Sequence, residues 1–192
     1  MRKLILSFIF LIVMLIPNMS KAQSVDKRNS LKIYPLSILG GFNFFSIERT
    51  LIKKITGQVG VGFSSITVMG DKYSTVGMEF QGRYYLKEAL KGLYGGGQFG
   101  FGKGQVSTSY LFLDNSTSTE VNYGTLRYGA KVGYQWLLKS GFTLDLNLGY
   151  GYRSYKYKAL TDMNGNVVYN NFNILRSSGY LPSFGFALGY SF

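Results

Sequence analysis

The sequence predicts an all-β fold, namely an eight-stranded antiparallel transmembrane β-barrel. Three observations support this: an alternating final segment, predicted strands with one glycine-rich polar face, and connections of two different lengths. In the final segment every second residue is large and apolar, and the residues between them are small. Because successive side chains of a β-strand point to opposite faces, the two sides of this strand meet very different surroundings.

The amino-terminal segment predicts export. Two basic residues precede an apolar run over residues 4–16, and Ser20-Lys21-Ala22 places small residues where a signal peptidase cleaves. The run is too short and too weakly flanked for a membrane-spanning helix. We therefore expect residues 1–22 to be a secretory signal peptide and residues 23–192 to form the barrel.

Alternation that is broken by turn-like segments predicts eight strands. Their expected ranges are 31–38, 42–49, 56–67, 73–86, 93–107, 122–137, 142–157 and 174–192. Short connections at 50–55, 87–92 and 138–141 contrast with longer ones, rich in Ser, Thr, Asn and Asp, at 110–120 and 160–173. Short turns on one side and longer loops on the other are typical of a membrane barrel. A tight turn through Gly40-Gly41 is expected in the first hairpin, and Pro35 and Pro182 are expected at strand ends, bulges or unpaired positions.

The polar face of the strands distinguishes a membrane barrel from a water-soluble one, whose apolar face points inward. Over residues 142–153, leucines and aromatic residues alternate with a set that is rich in glycine. Small residues suit the interior of a narrow barrel, where space is limiting. The predicted strands are also longer than the usual five or six residues, as tilted membrane strands must be. We therefore expect a barrel of the outer-membrane type.

Aromatic residues near the predicted strand ends are expected to form two girdles at the membrane interfaces. One girdle comprises Tyr84, Tyr85, Tyr94, Tyr134, Trp136, Tyr190 and Phe192, and the other comprises Tyr73, Tyr123, Tyr150, Tyr152, Tyr155 and Tyr157. The alternative is that tyrosine is simply common in strands.

Charged residues on the inward face form the candidate site. They are Glu48, Glu79, Arg83, Arg127, Lys131, Asp145 and Arg153. Isolated charges in a narrow lumen are costly, so we expect pairs across neighbouring strands, for instance Arg127 or Lys131 with Asp145. Such a network would fill and lock the lumen, and the alternative is a narrow gated path for ions or small solutes.

Composition argues against several other functions. Lys and Arg number 21 against 9 Asp and Glu, but they are spread thinly, which favours contact with anionic lipid headgroups over nucleic acid. The chain has no histidine to activate a serine, so we expect no enzyme and no catalytic residue. Gly95-x-Gly97-x-x-Gly100 fits a dinucleotide fingerprint, but these glycines lie within a predicted strand and not between a strand and a helix. The chain has no cysteine, so thiolate metal sites do not arise. We expect neither a cofactor nor a metal.

Two stretches carry a resemblance: Leu31-Lys32-Ile33-Tyr34-Pro35-Leu36-Ser37-Ile38-Leu39-Gly40-Gly41 and Ser46-Ile47-Glu48-Arg49. Together they resemble the start of a family of small outer-membrane barrels of unknown function from Bacteroidota, a DUF3575-like, porin-like grouping of Gram-negative bacteria. The final strand resembles the closing strand that the barrel-assembly machinery reads in such proteins. The resemblance implies an assembly signal at Phe184, Phe186, Leu188, Tyr190 and Phe192.

Three roles are compatible with such a barrel. We expect a structural or interaction role, in which the external loops contact an unidentified protein partner. A narrow channel or carrier for ions, small solutes or hydrophobic ligands is the first alternative. An accessory subunit of a secretion or surface-assembly system is the second. In each case the expected surroundings are outer-membrane lipid, reached through the periplasm.

Overall fold

The computed structural model describes residues 27–39, 43–68, 71–108, 119–158, 160–161, 167–169 and 178–192. Among these residues there are ten β-strands and one short 3₁₀ helix. They are β1 (Asn29–Ile33), the 3₁₀ helix (Pro35–Leu39), β2 (Phe45–Ile52), β3 (Ile55–Val68), β4 (Asp71–Tyr85), β5 (Gly92–Thr108), β6 (Thr119–Leu137), β7 (Phe142–Tyr157), β8 (Leu160–Thr161), β9 (Val167–Tyr169) and β10 (Gly179–Ser191). The predicted signal peptide lies outside the described residues.

Eight of the strands form one antiparallel sheet that closes on itself in the order β1-β10-β7-β6-β5-β4-β3-β2. Consecutive strands from β1 to β7 pair as neighbours, and β10 pairs with β7 on one side and with β1 on the other. The predicted all-β fold with eight antiparallel strands is therefore confirmed. Within the described part of the chain, no helix has the length and apolar character needed to cross a membrane.

The barrel has a polar interior and an apolar exterior. Glu48, Arg83 and Asp145 are fully buried in the lumen, whereas Leu148 and Phe184 on the outer face are 61% and 60% exposed. The two-residue period of the strands separates the two sets, since each strand presents its polar residues to one side and its apolar residues to the other. This distribution is the reverse of that in a water-soluble barrel.

The first strand is much shorter than the predicted range of 31–38. β1 ends at Ile33, and the chain continues as a 3₁₀ helix in which the Ser37 N–H donates to the Tyr34 carbonyl oxygen at 3.0 Å. Pro35 accounts for the difference, because proline has no N–H for a strand ladder and has a fixed φ. The predicted turn through Gly40-Gly41 lies outside the described residues.

The connections agree in part with the prediction. The three short turns are present, and Gly92 and Gly141 at two of them have positive φ values of 90° and 98°, which glycine adopts without strain. In the longer connection between β7 and β10, β8 and β9 form a two-stranded sheet that the sequence did not indicate. β6 begins at Thr119, inside the predicted loop 110–120, and residues 174–177 of the last predicted strand lie outside the described residues.

The predicted aromatic girdles are wrong for part of their members. Tyr84, Tyr134 and Trp136 are exposed on the outer face, as expected of an interface residue. Four other members, Tyr73, Tyr85, Tyr94 and Tyr123, are buried inside the barrel. Each of these four lies an even number of residues from a lumen-facing residue on its own strand, so the strand period directs its ring inward.

Candidate functional site in the barrel lumen

The lumen contains two groups of charged side chains. The lower cluster, towards the short turns, comprises Lys32, Glu48, Arg83 and Asp145. The upper cluster, towards the long connections, comprises Glu79, Arg127 and Lys131. All seven side chains come from lumen-facing positions of β1, β2, β4, β6 and β7.

The lower cluster is balanced in charge. Lys32 Nζ donates to Asp145 Oδ2 at 2.9 Å and also pairs with Glu48. Arg83 Nη1 donates to the same Asp145 oxygen at 2.7 Å and lies 3.3 Å from Glu48 Oε2. Two cations therefore share two carboxylates, and each side chain is at most 1% exposed. Buried charges are stable only when paired in this way.

Tyrosine side chains complete the lower cluster. Tyr94 Oη donates to Asp145 Oδ1 at 2.8 Å, and Tyr85 Oη donates to Glu48 Oε1 at 2.9 Å. The Arg83 guanidinium carbon lies 4.5 Å from the centre of the Tyr94 ring, within the range of a cation–π interaction. Charges and rings from several strands thus fill the lumen at this level.

The upper cluster is centred on Glu79. Its carboxylate accepts hydrogen bonds from Arg127 and, at 3.1 Å, from Lys131 Nζ. Gln81 connects the two clusters, because its amide nitrogen donates to Glu79 while its oxygen accepts from Arg83 Nε at 2.9 Å. The polar network is therefore continuous from one cluster to the other.

Glycine residues make room for these contacts. Gly100 on β5 lies directly between Glu79 on β4 and Arg127 on β6 in the ladder register, so no side chain separates the two charges. Gly133 lies opposite Tyr94, where a Cβ atom would be 2.5 Å from the Tyr94 hydroxyl and 2.7 Å from the Leu146 carbonyl oxygen. The glycine-rich polar face that predicted a narrow barrel thus has a specific packing role.

The predicted pairing of Arg127 or Lys131 with Asp145 is wrong. The β6–β7 register places Gln135 opposite Asp145, while Arg127 lies opposite Arg153 and Lys131 lies opposite Gly149. Asp145 is therefore too far along its strand from either cation. Its partners, Lys32 and Arg83, reach it from strands that are not adjacent to β7.

Lys32 is the main residue that the prediction missed. It is buried at the centre of the lower cluster, where it also donates to Gln135 Oε1 at 2.6 Å. The alternation of Ser30 and Lys32 with Leu31 and Ile33 was a usable signal. The predicted first strand extended past Pro35, and its inward positions were not assigned.

Arg153 occupies a different environment from the other six predicted lumen charges. It is half-buried, and its Nη1 donates to Tyr155 Oη at 3.3 Å. Among the described residues, no carboxylate lies within 4.0 Å of it, whereas the other six all belong to ion pairs. Arg153 and the upper cluster border a cavity of about 240 Å³.

Among the described residues, no three His, Cys, Asp or Glu side chains are placed to hold a metal ion.

Four residues of the predicted assembly signal lie on the outer face of β10, and the fifth, Phe192, directly follows this strand. Phe184, Leu188 and Phe192 are exposed, and Phe186 and Tyr190 are half-buried. Their side chains are therefore on the apolar exterior of the barrel.

Comparison with known protein families gives a match over most of the chain. The sequence profile of a family described as "Protein of unknown function (DUF3575)" matches residues 7–171. The matched range includes every strand from β1 to β9. No curated protein and no solved structure matches the chain.

Proposed function

Because the chain belongs to the DUF3575 family, whose function is unknown, we propose a role from its architecture: an integral outer-membrane β-barrel with a side-chain-filled lumen. Its main role is structural or interactive, through the loops at the long-connection end. The apolar exterior around a charged, ion-paired interior is the observation that supports this proposal.

The outer face suits lipid better than water. Val132, Leu148 and Phe184 are neighbours on three adjacent strands and are 60%, 61% and 60% exposed. Contiguous exposed apolar surface on this scale marks an interaction with a partner or a membrane. Because this exposed apolar surface continues around the closed ring of strands, a lipid bilayer would cover all of it at once.

Strand length supports the same proposal. β4 to β7 contain 15 to 19 residues each. A tilted strand needs about 9–11 residues to cross the hydrocarbon core. These strands can therefore cross it and extend beyond both interfaces. The predicted signal peptide and the apolar outer face of β10 favour export and assembly in the outer membrane, with the short turns in the periplasm.

The lower cluster favours a closed lumen over an open channel. It joins residues from β1, β2, β4 and β7 across the interior, and its side chains are almost completely excluded from solvent. An eight-stranded barrel is just wide enough to be filled by side chains. An ion would have to displace at least one of these pairs to pass.

Single-channel conductance of the refolded mature protein in planar bilayers tests this proposal, together with its heat-modifiable gel migration. We expect a heat-sensitive shift and no openings. The double variant Arg83→Ser/Asp145→Ser removes one cation and one carboxylate from the lower cluster, and we expect it to produce openings. The matched control, Glu88→Ser/Lys91→Ser, removes the same charges from an exposed turn and should remain closed.

Two results would count against the proposal. Stable openings of the unmodified protein would overturn the filled lumen and favour the channel alternative. Absence of any heat-sensitive shift in lipid would overturn the membrane barrel itself.

A further inference from the structure

The ring of strands is joined unevenly on the two sides of β10. Twelve residue pairs connect β10 to β7, from Gly179↔Arg153 to Tyr190↔Phe142. Only four connect it to β1, from Ser30↔Ser191 to Ile33↔Leu188. Among the described residues, positions 179–187 of β10 therefore have no strand partner on the β1 side. The 3₁₀ helix lies there instead, against β3 and β10.

The backbone of β10 is adapted to this unpaired edge. Asn29 and Phe192 exchange two backbone hydrogen bonds of 3.0 and 2.9 Å. Because backbone groups alternate sides along a strand, even-numbered residues of β10 face the β1 side. Pro182 is one of them, so its missing N–H falls on the unpaired edge and costs no hydrogen bond. No backbone hydrogen bond joins the 3₁₀ helix to β10 within the described residues.

The cavity of about 240 Å³ lies at this edge. Part of its lining is apolar and comes from the 3₁₀ helix and β10, namely Leu36, Pro182, Phe184 and Phe186. The part towards the lumen is charged, namely Glu79, Arg127, Lys131 and Arg153. In a membrane, irregular backbone is tolerated where it lines such a cavity. The cavity therefore has an apolar side towards the exterior and a charged side towards the lumen, in the gap that the short β1 leaves beside β10.

The charged part of the lining carries an excess of positive charge. Three cations face one carboxylate, which leaves a formal charge of +2. Arg127 and Arg153 lie directly opposite each other on β6 and β7, an arrangement of like charges that is destabilising on its own. Glu79 pairs with Arg127 and Lys131. Of the three cations that line the cavity, Arg153 is therefore the one that forms no ion pair with a carboxylate in the described part of the chain.

Polar atoms without partners line the same cavity. Ser37 Oγ, Asn43 Oδ1, Arg153 Nε and Ser183 Oγ are buried and have no hydrogen-bond partner among the described residues. Asn43 as a whole is only 5% exposed. Buried polar groups are normally satisfied, so these four atoms leave hydrogen-bonding capacity unused around the cavity.

We propose that this cavity binds an amphipathic anion, with a carboxylate or phosphate headgroup and one apolar chain, that enters sideways through the gap beside β10. The headgroup lies at Arg153 and Arg127, whose planar guanidinium groups match either oxyanion. The chain extends past Phe184 and Phe186 to the outer face. This inference rests on the proposed membrane location, since lipid is the source of such molecules.

A photoreactive fatty acid tests the proposal on the full mature chain in lipid nanodiscs. We expect saturable labelling that maps to β10 or the 3₁₀ helix. Arg153→Gln should weaken the apparent affinity about tenfold or more, because a charge-assisted contact is lost. Arg153→Lys should retain much of the apparent affinity, because it keeps the positive charge. Arg49→Gln, which removes an exposed cation from β2 far from the cavity, is the matched control and should leave labelling unchanged.

Competition by unlabelled hexadecanoate or hexadecyl phosphate assigns the headgroup, and stronger competition by either compound supports the site. Heat-modifiable migration of every sample establishes that the barrel has formed. A folded barrel that is labelled equally in Arg153→Gln and Arg49→Gln, or outside the cavity lining, would overturn this inference and leave the membrane barrel intact. Absence of the heat-sensitive shift in the unmodified protein would overturn both.

Discussion

Asp145 is the residue on which the lower cluster converges. One of its oxygens accepts from both Lys32 and Arg83, and the other accepts from Tyr94 at 2.8 Å. Removing one partner from a buried set of ion pairs costs more than the set contributes as a whole, because it leaves a charge buried without compensation.

Asp145→Asn isolates this effect, since it removes the charge while keeping the shape of the side chain. We expect the free energy of unfolding to fall by about 3–5 kcal/mol, because Lys32 and Arg83 would then share the single carboxylate of Glu48. Urea unfolding of the refolded protein in lipid vesicles, followed by circular dichroism, measures the change. Glu88→Gln in an exposed turn is the control and should change stability by no more than about 0.5 kcal/mol.

Equal unfolding midpoints for Asp145→Asn and the unmodified barrel would contradict the lower cluster as described. They would mean that Asp145 is hydrated or protonated in the folded protein.

Placement of single residues could be predicted from the sequence, but their pairing could not. A two-residue step along β4, β6 and β7 is enough to direct Glu79, Arg127 and Asp145 inward. Which of them meet depends on strand register and on distances across the lumen. A single sequence contains neither of these, so it predicted that Asp145 pairs with a cation on the adjacent strand, whereas its partners lie on β1 and β4, which are not adjacent to β7.

At the scale of elements, β1 is the strand that completes the ring. It has five residues and pairs with both β2 and β10. The sequence predicted a longer strand, although the apolar positions change from odd (Leu31, Ile33) to even (Leu36, Ile38) at Pro35. The helix that replaces the end of this strand depends on the backbone restriction that proline imposes.

Leu31→Pro tests the importance of this strand. The Leu31 side chain points outward and is 52% exposed, so its replacement leaves the lumen contacts untouched. Asn29 and Phe192 form a hydrogen-bonded pair of the β1–β10 ladder, and Leu31 lies opposite Tyr190, two residues further along. Because every second pair of an antiparallel ladder is hydrogen-bonded, the Leu31 N–H also belongs to this ladder. We expect the free energy of unfolding to fall by about 1–3 kcal/mol, because a ladder hydrogen bond is lost and its acceptor is left unsatisfied, and we expect a smaller heat-sensitive fraction on gels.

Leu31→Ala is the matched control, because it shortens the same side chain and keeps the N–H. If the proline and alanine variants were equally stable, closure through the β1–β10 ladder would not be what holds the ring together.

At the scale of the whole molecule, the apolar exterior is the property that the sequence predicted best. Strict alternation indicated the number of strands, and the glycine content of the polar face indicated that this face points into the barrel. The gap beside β10 could not be predicted in this way. It arises from a difference in length between β1 and β10, and strand ends are the least regular part of the pattern.

Two arginine substitutions distinguish a lipid-facing exterior from one in water. Leu148 lies near the middle of β7 on the outer face and Leu138 lies in a short turn, and both are exposed. In a membrane, Leu148→Arg should cost about 2–4 kcal/mol and Leu138→Arg about 0–1 kcal/mol. Urea titration of folding into vesicles measures both values. Equal and small effects would be the behaviour of a water-soluble barrel.

The seam between β1 and β10 also determines how the chain must fold. Leu31 pairs with Tyr190, so this ladder joins the most distant strands in sequence and pays the largest closure entropy of the ring. The same pairing brings Lys32 between Glu48 and Asp145, which otherwise share only Arg83. With the seam open, β1 still holds Lys32 beside Glu48 through its ladder with β2, whereas Asp145 keeps only Arg83. Closure of the seam therefore completes the neutralisation of Asp145, and we expect the two to be coupled in one cooperative folding transition.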